Sequence, residues 1–129
     1  MRITTSSGDY KIQFVHSSHG FETIKPVTPG GLRQFIDNLA CSLRRRVSFC
    51  DISRVEPADG VNVESPVYVS IAQGFAICYH KDQFDKKTGR AFSLDRALLN
   101  TELTEAEQDE VWAMVWGAYA PTRPSLFGH

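Results

Sequence analysis

A dense group of basic side chains lies in residues 75–100 and is the part of the sequence best suited to chemistry. Four cations occur within ten residues, and Arg96 follows them; the four are Lys81, Lys86, Lys87 and Arg90. Lysine and arginine at this density can contact phosphate oxygens or the carboxylates of an acidic protein. Because a solvated helix face has the same composition, the stretch predicts a charged surface and leaves its ligand open.

A second basic group, Arg44, Arg45 and Arg46, lies at the end of a predicted helix. Cations in a last turn complement the negative end of the helix dipole, which stabilises a helix by about 0.3 to 1 kcal/mol per exposed charge. The alternative interpretation is an anion-binding edge. We therefore include these arginines with the first group as candidate partner-binding or phosphate-binding residues.

Histidine and cysteine residues occur at spacings that only weakly favour a metal or catalytic site. His16 and His19, and Cys78 and His80, have ligand types suited to zinc, but neither spacing matches a standard structural zinc pattern. Cys78 and His80 would share one face of a strand, so a small enzyme that uses them stays an alternative. Because of these spacings we expect no metal. The loop at residues 29–31 lacks the lysine of a phosphate-binding loop, so we also expect no cofactor.

Three helices are predicted, at about residues 29–45, 81–99 and 104–119. On the central helix Phe84, Thr88, Ala91, Leu94 and Leu98 would face the core, while Lys86, Arg90 and Ser93 would face outward. Gly89 on the outer side marks either a helix break or the close approach of a bound molecule. The apolar stripe of the first helix consists of Leu32, Phe35, Ile36, Leu39, Ala40 and Leu43.

The last helix has a clear beginning, because Thr104 and Glu107 have the spacing of a capping box. Trp112 and Trp116 lie in its apolar stripe, so they are predicted core residues rather than platforms for stacking on bases or sugars. The tail, residues 121–129, is either a docked end or a partner-binding peptide.

Strand patterns predict two β-hairpins. Residues 1–5 and 10–15 flank a turn at 6–9, and residues 67–72 and 75–79 flank Gln73-Gly74. Residues 56–60 are predicted to be an exposed loop. Together these elements predict a single α+β domain over residues 1–129, with a mainly antiparallel sheet from two hairpins and three helices packed chiefly on one face.

Length and composition place the chain among ordinary globular proteins. It has 129 residues and a formal net charge of -1, so any electrostatic function must be local. We expect no membrane segment and a cytoplasmic location, because no run of 18 apolar residues occurs. Three cysteines, an odd number, favour reduced thiols.

The central stretch resembles a segment of small accessory proteins of tailed bacteriophages. In both, an apolar strand leads into a basic helix; the residues that carry the resemblance are Ala76, Cys78, Asp82, Phe84, Lys87, Gly89, Arg90, Arg96, Ala97 and Leu98. The resemblance covers about a fifth of the chain and implies a viral origin and a compact α+β fold, but no catalytic residue.

These observations favour a non-enzymatic interaction protein that binds and modulates a host or phage macromolecule, with a host-takeover or anti-defence role as one form. A protein partner is favoured, and a module that binds nucleic acid through the basic helix is the alternative. The sequence leaves the oligomeric state open.

Overall fold

A four-stranded antiparallel sheet and three helices form the described part of the chain, which a computed structural model gives as residues 1–17, 31–58, 62–78 and 85–127. The strands are β1 (Arg2–Thr5), β2 (Gly8–His16), β3 (Val47–Ala58) and β4 (Asn62–Ile77), and each pairs with the next in chain order. The helices are α1 (Gly31–Leu43), α2 (Lys86–Leu99) and α3 (Glu105–Trp116). The α+β class and the antiparallel sheet are therefore confirmed.

The first predicted hairpin is present where the sequence indicated it. β1 pairs with β2, and the register closes at Thr5 and Gly8. The Thr5 hydroxyl donates a hydrogen bond to the carbonyl oxygen of Gly8 over 3.0 Å, which fastens the turn.

The prediction of a turn at Gln73-Gly74 is wrong. β4 runs through both residues, and Gly74 pairs with Cys50 of β3. The second hairpin instead joins β3 to β4 and closes at Ala58 and Asn62, so residues 56–58 are strand rather than loop; residues 59–61 lie outside the described part.

Gly74 is needed for packing rather than for a turn. A Cβ atom at this position would overlap the Ser93 carbonyl oxygen and the Ala97 nitrogen of α2 and would lie 3.0 Å from the Ala97 Cα. The glycine therefore lets the helix backbone rest directly on the sheet.

Capping residues mark the first turns of α2 and α3, and the start of α2 differs from the predicted one. The Thr104 and Glu107 capping box is present at the start of α3. Asp85 caps α2, and its carboxylate accepts hydrogen bonds from the Lys87 amide at 3.2 Å and the Thr88 hydroxyl at 2.8 Å. Residues 81–84, the predicted first turn of this helix, lie outside the described part.

The sheet has a hydrophobic cluster on each face, because successive side chains of a strand point to opposite sides. On one face Ile12, Cys50 and Ile52 pack with α2 and α3. On the other face Val15 and Phe49 pack with α1. Two of the three helices thus share a face, while α1 covers part of the opposite one.

The side of α2 that faces the sheet differs from the predicted apolar arc. Ser93 is fully buried although it was predicted to face outward, whereas Thr88 is exposed. The helix presents small residues to the sheet, so its backbone can approach closely and its apolar side chains flank the contact. In α1 Phe35 and Leu43 are exposed, contrary to the predicted stripe, while Ile36 and Ala40 are buried.

The tail is docked through residues 121–125. Arg123 is buried, and its Nε lies 2.8 Å from the Oδ1 of Asp95, also buried, on α2. The Ser125 amide and hydroxyl donate to the same carboxylate at 3.0 and 2.8 Å. The indole nitrogen of Trp112 donates to the Pro121 carbonyl at 2.7 Å, so the tail is held at several points.

The two tryptophans of α3 pack inward, as the sequence predicted. Trp112 is buried, and Trp116 is partly buried against the same cluster. Within the described residues, no helix has the length and apolar character needed to cross a membrane.

Candidate anion-binding site

The first turns of α2 lie directly against β2 and β3. A Cβ atom built on Gly89 would overlap the Oγ of Ser48 and would lie 2.9 Å from the Ser48 Cβ and 3.6 Å from the His16 Cε1. Only glycine permits this approach. Both predicted interpretations of Gly89 are therefore wrong, because α2 continues through it and the sheet itself occupies the space beside it.

His16 and Ser48 form a cross-strand pair beneath this helix turn. The His16 Nδ1 lies 2.7 Å from the Ser48 Oγ, within hydrogen-bond distance. Ser48 is buried and His16 is half-buried. The pair thus lies between the sheet and the end of α2 that carries Lys86 and Arg90.

Arg46 is held beside this pair by the residue that follows His16. Its terminal nitrogen donates to the Ser17 carbonyl at 2.9 Å, and its Nε lies 3.3 Å from the Ser17 Oγ. Ser17 is itself buried, and its Oγ accepts a hydrogen bond from the Val47 amide at 2.9 Å. The hydrogen bonds to the buried Ser17 therefore hold the Arg46 guanidinium in place.

Four positive side chains from three parts of the chain act on the pKa of His16. Burial lowers the pKa of the His16 imidazole below its ordinary 6.5, and the positive charges of Arg90, Lys86, Arg46 and Arg33 lower it further. Protonation of the imidazole is opposed because the potential there is already positive. These four residues are called the basic cluster below: Arg33 of α1, Arg46 before β3, and Lys86 and Arg90 of α2.

The cations on α2 are available to an external anion. In the described part of the chain, no carboxylate lies within ion-pair distance of Lys86 or Arg90. Asp85, the acidic residue next to them, caps the helix. A hydrogen bond from the Thr88 hydroxyl is the main cause that lowers the pKa of its carboxyl group. The basic cluster can therefore accept phosphate or carboxylate oxygens.

The structure separates the remaining predicted site residues from the basic cluster. Lys87 is exposed and lines a shallow groove of about 400 Å³ between α2 and the docked tail. The Nη1 of Arg96 donates to the Phe75 carbonyl of β4 over 2.7 Å, so this arginine covers a sheet edge. Lys81 lies outside the described residues.

The arginines that follow α1 divide in the same way. Arg44 has a φ of 54°, and the Arg45 amide donates to the Ala40 carbonyl at 3.1 Å, so both take part in ending the helix. Only Arg46 joins the basic cluster. Arg44 and Arg45 thus lie just beyond the last turn of α1, which itself carries no basic residue, and Arg46 lies beside His16.

Two members of the site were missed by sequence reasoning. Arg33 belongs to a different helix, and His16 had been considered only as a zinc ligand with His19, which lies outside the described residues. The signal for this arrangement was Gly89, since a glycine inside a helix indicates close contact on one side.

The described residues give little support for cysteine or metal chemistry. Burial raises the pKa of the Cys50 thiol, and the negative charge of Asp51 raises it further, so Cys50 is held as a neutral thiol. Cys78 donates its amide to the Arg46 carbonyl at 2.9 Å, while His80 is outside the described part. Within that part, no group of three or more histidine, cysteine or acidic residues could hold a metal ion.

Comparison of the chain with protein families, curated proteins and solved structures gives no match in any of the three.

Proposed function

We propose that this protein is a non-enzymatic interaction protein that binds the negatively charged surface of a macromolecule through the basic cluster. The observation that carries the proposal is the packing of the first turns of α2, which carry Lys86 and Arg90, directly against His16 and Ser48. Arg46 is held beside the same pair by Ser17. The charges of these cations and of Arg33 also lower the pKa of His16. The chain as a whole is near neutral, so this convergence is a local feature and would orient a partner on one end of the sheet.

The nature of the partner follows from the same arrangement. A phage origin, which the resemblance of the central stretch predicts, would make the partner a host or phage macromolecule in the host cytoplasm. An acidic protein would present carboxylates to Lys86 and Arg90, and the basic end would then modulate that protein by occupying its acidic surface.

Nucleic acid is the second candidate, and one observation favours it. Arg46 is held by Ser17 while Lys86 and Arg90 extend from a helix start, so three cations from two parts of the chain border the buried Ser48 and the half-buried His16. Phosphates of a nucleic acid backbone would contact such cations without base recognition.

The test is a charge reversal of the two cations on α2. We expect the Lys86→Glu, Arg90→Glu double variant to bind at least about 100-fold more weakly at low salt, since two charge-assisted contacts become repulsive. Its fold should persist, because substitutions at such surface positions usually change stability by about 0.5 kcal/mol or less.

The measurement is fluorescence anisotropy with labelled single-stranded and double-stranded oligonucleotides and with polyglutamate, each at low and high salt. The matched control is Arg2→Glu with Lys87→Glu, which makes the same change in net charge at residues outside the basic cluster. For a nucleic acid partner, the logarithmic salt dependence of binding should fall by about 0.9 per lost phosphate contact. Equal binding by wild type and both variants to every probe, with folding intact, would refute the proposal.

A further inference from the structure

The outer edge of β4 is covered by α2 along only part of its length. Of the described segments only β3 pairs with β4, which is therefore the last strand of the sheet. Near its carboxyl end, α2 covers the edge: Arg96 donates to the Phe75 carbonyl at 2.7 Å and Asn100 donates to the Gln73 carbonyl at 2.9 Å. Such covering prevents another strand from pairing there.

Over the preceding segment, residues 66–72, no described residue makes a similar contact to the edge. Val67, Tyr68 and Val69 are exposed by 45%, 43% and 41%. The segment contains no charged residue. It therefore lacks the charges that usually protect an exposed edge strand, while carrying the residue types that favour strand pairing.

The register shows which backbone groups point outward. The Cys78 amide donates to the carbonyl of Arg46, the residue before β3, so the backbone groups of Cys78 face β3. Because this direction alternates along a strand, the backbone groups of Phe75 and Gln73 face away from β3. The bulge near Ile71 shifts this alternation, since Ser53 pairs with Ser70 and Arg54 with Val69. Tyr68 and Ser70 consequently direct their amide and carbonyl groups outward.

The uncovered stretch of edge around Tyr68 and Ser70, called the window below, is bounded at both ends. Pro66 occupies the next outward position, where it has no amide to donate, and proline is tolerated in a sheet at such an edge position. At the other end the bulge and the Asn100 contact at Gln73 interrupt pairing. Tyr68 and Ser70 are thus the two outward positions that the described part of the chain leaves open.

We propose that this window pairs with the same window of a second copy of the chain, which extends the sheet across a two-fold axis at Val69. In that antiparallel register Tyr68 lies opposite the Ser70 of the second copy, and Ser70 opposite its Tyr68, so the open amides and carbonyls satisfy one another. Val69 lies opposite Val69. No like charges meet within the window, which is why a second copy fits it.

The pairing predicts a weak dimer. Two short strands bury much less than the roughly 1,200–2,000 Å² of a stable complex. Sedimentation velocity over micromolar to millimolar concentration should therefore show a concentration-dependent shift from monomer to dimer.

The two-fold axis gives a sharp test by cysteine substitution. The two copies of Val69 would form a non-hydrogen-bonded antiparallel pair. The Cα atoms of such a pair are about 4.5 Å apart, within the range that a disulfide spans. Val69→Cys should thus form an intermolecular disulfide under mild oxidation. Val67→Cys is the matched control, because the two copies of residue 67 would lie about 14 Å apart along the strands.

Val69→Lys should abolish the concentration-dependent dimer, since the two lysines would meet at the axis. Its control is Met114→Lys, which places the same charge on an exposed apolar residue of α3 and should leave the dimer intact. Circular dichroism melts of each variant show whether folding persists.

Cross-linking of Val69→Cys, with background levels in Val67→Cys and the wild type, supports the proposal. A wild-type protein that stays monomeric at millimolar concentration overturns it. Equal cross-linking of the two cysteine variants, or a dimer that Val69→Lys does not affect, also overturns it.

Discussion

Replacement of Gly74 by alanine tests the close contact between α2 and the sheet, on which the position of the basic cluster depends. The added methyl group would overlap the carbonyl oxygen of Ser93 and the nitrogen of Ala97, and both are backbone atoms of the helix. No rotation of a side chain can remove this overlap, so either the strand or the helix must move.

The cost follows from the displacement required. Non-bonded heavy atoms are most stable at about 3.5–4.0 Å, so the backbones must separate by on the order of 1 Å. Overpacking of a core costs about 1–3 kcal/mol and occasionally more. We expect a loss at the upper end, about 3 kcal/mol, because Leu94 and Leu98 of α2 are fully buried and would be lifted from the core with the backbone.

The assay is denaturant unfolding, with the free energy of unfolding compared between variants. Gly89→Ala provides the informative comparison, because its methyl group would meet the side chain of Ser48 instead of backbone. Adding Ser48→Gly should recover part of the loss at residue 89, although glycine in a strand itself costs about 0.5–1 kcal/mol. Adding Ala97→Gly should recover nothing at residue 74. A change below about 1 kcal/mol for Gly74→Ala, or a rescue by Ala97→Gly, would refute the assigned contact.

Two further predictions concern charged groups. Asp95→Ala should reduce the free energy of unfolding by about 3–5 kcal/mol, because Arg123 would lose its buried partner. Asp109→Ala removes a partner of Arg123 that is 52% exposed, so it should cost about 1 kcal/mol or less. Equal losses in urea melts would contradict this difference. The pKa of His16 is lowered in the folded state, so the unfolded chain binds more protons below about pH 6.5. Stability should therefore fall as the pH is lowered toward 5, and part of this fall should be absent in His16→Gln. Thermal melts at several pH values test this, and identical pH profiles for the two proteins would show that His16 does not contribute.

Features that depend on near neighbours in the chain could be predicted from the sequence. The capping box of Thr104 and Glu107 and the hairpin that closes at Thr5 and Gly8 rest on contacts between residues close in sequence. The inward position of Trp112 follows the apolar stripe of its own helix. Their patterns therefore predict them directly, and together they were sufficient for the α+β class.

The roles of Gly74 and Gly89 depend on tertiary contacts and could not be predicted from the sequence. A glycine within a strand-like or helical pattern has the same local signature whether it forms a turn, breaks a helix or admits a neighbouring backbone. At Gly74 the contact is with a helix about twenty residues later in the chain, and at Gly89 it is with strands much earlier in the chain. Local propensity could not distinguish these cases, so the predicted turn at Gln73-Gly74 was wrong.

The same reason explains which cations form the site. The sequence grouped Lys86, Arg90 and Arg46 with Arg96 only because all are basic, and it omitted Arg33. The separation of Arg96 from the others, and the approach of Arg33 and Arg46 to His16, result from the packing of α1 and α2 on opposite faces of one sheet. Charge density along a chain identifies candidate residues, but their convergence depends on contacts between elements that are distant in sequence.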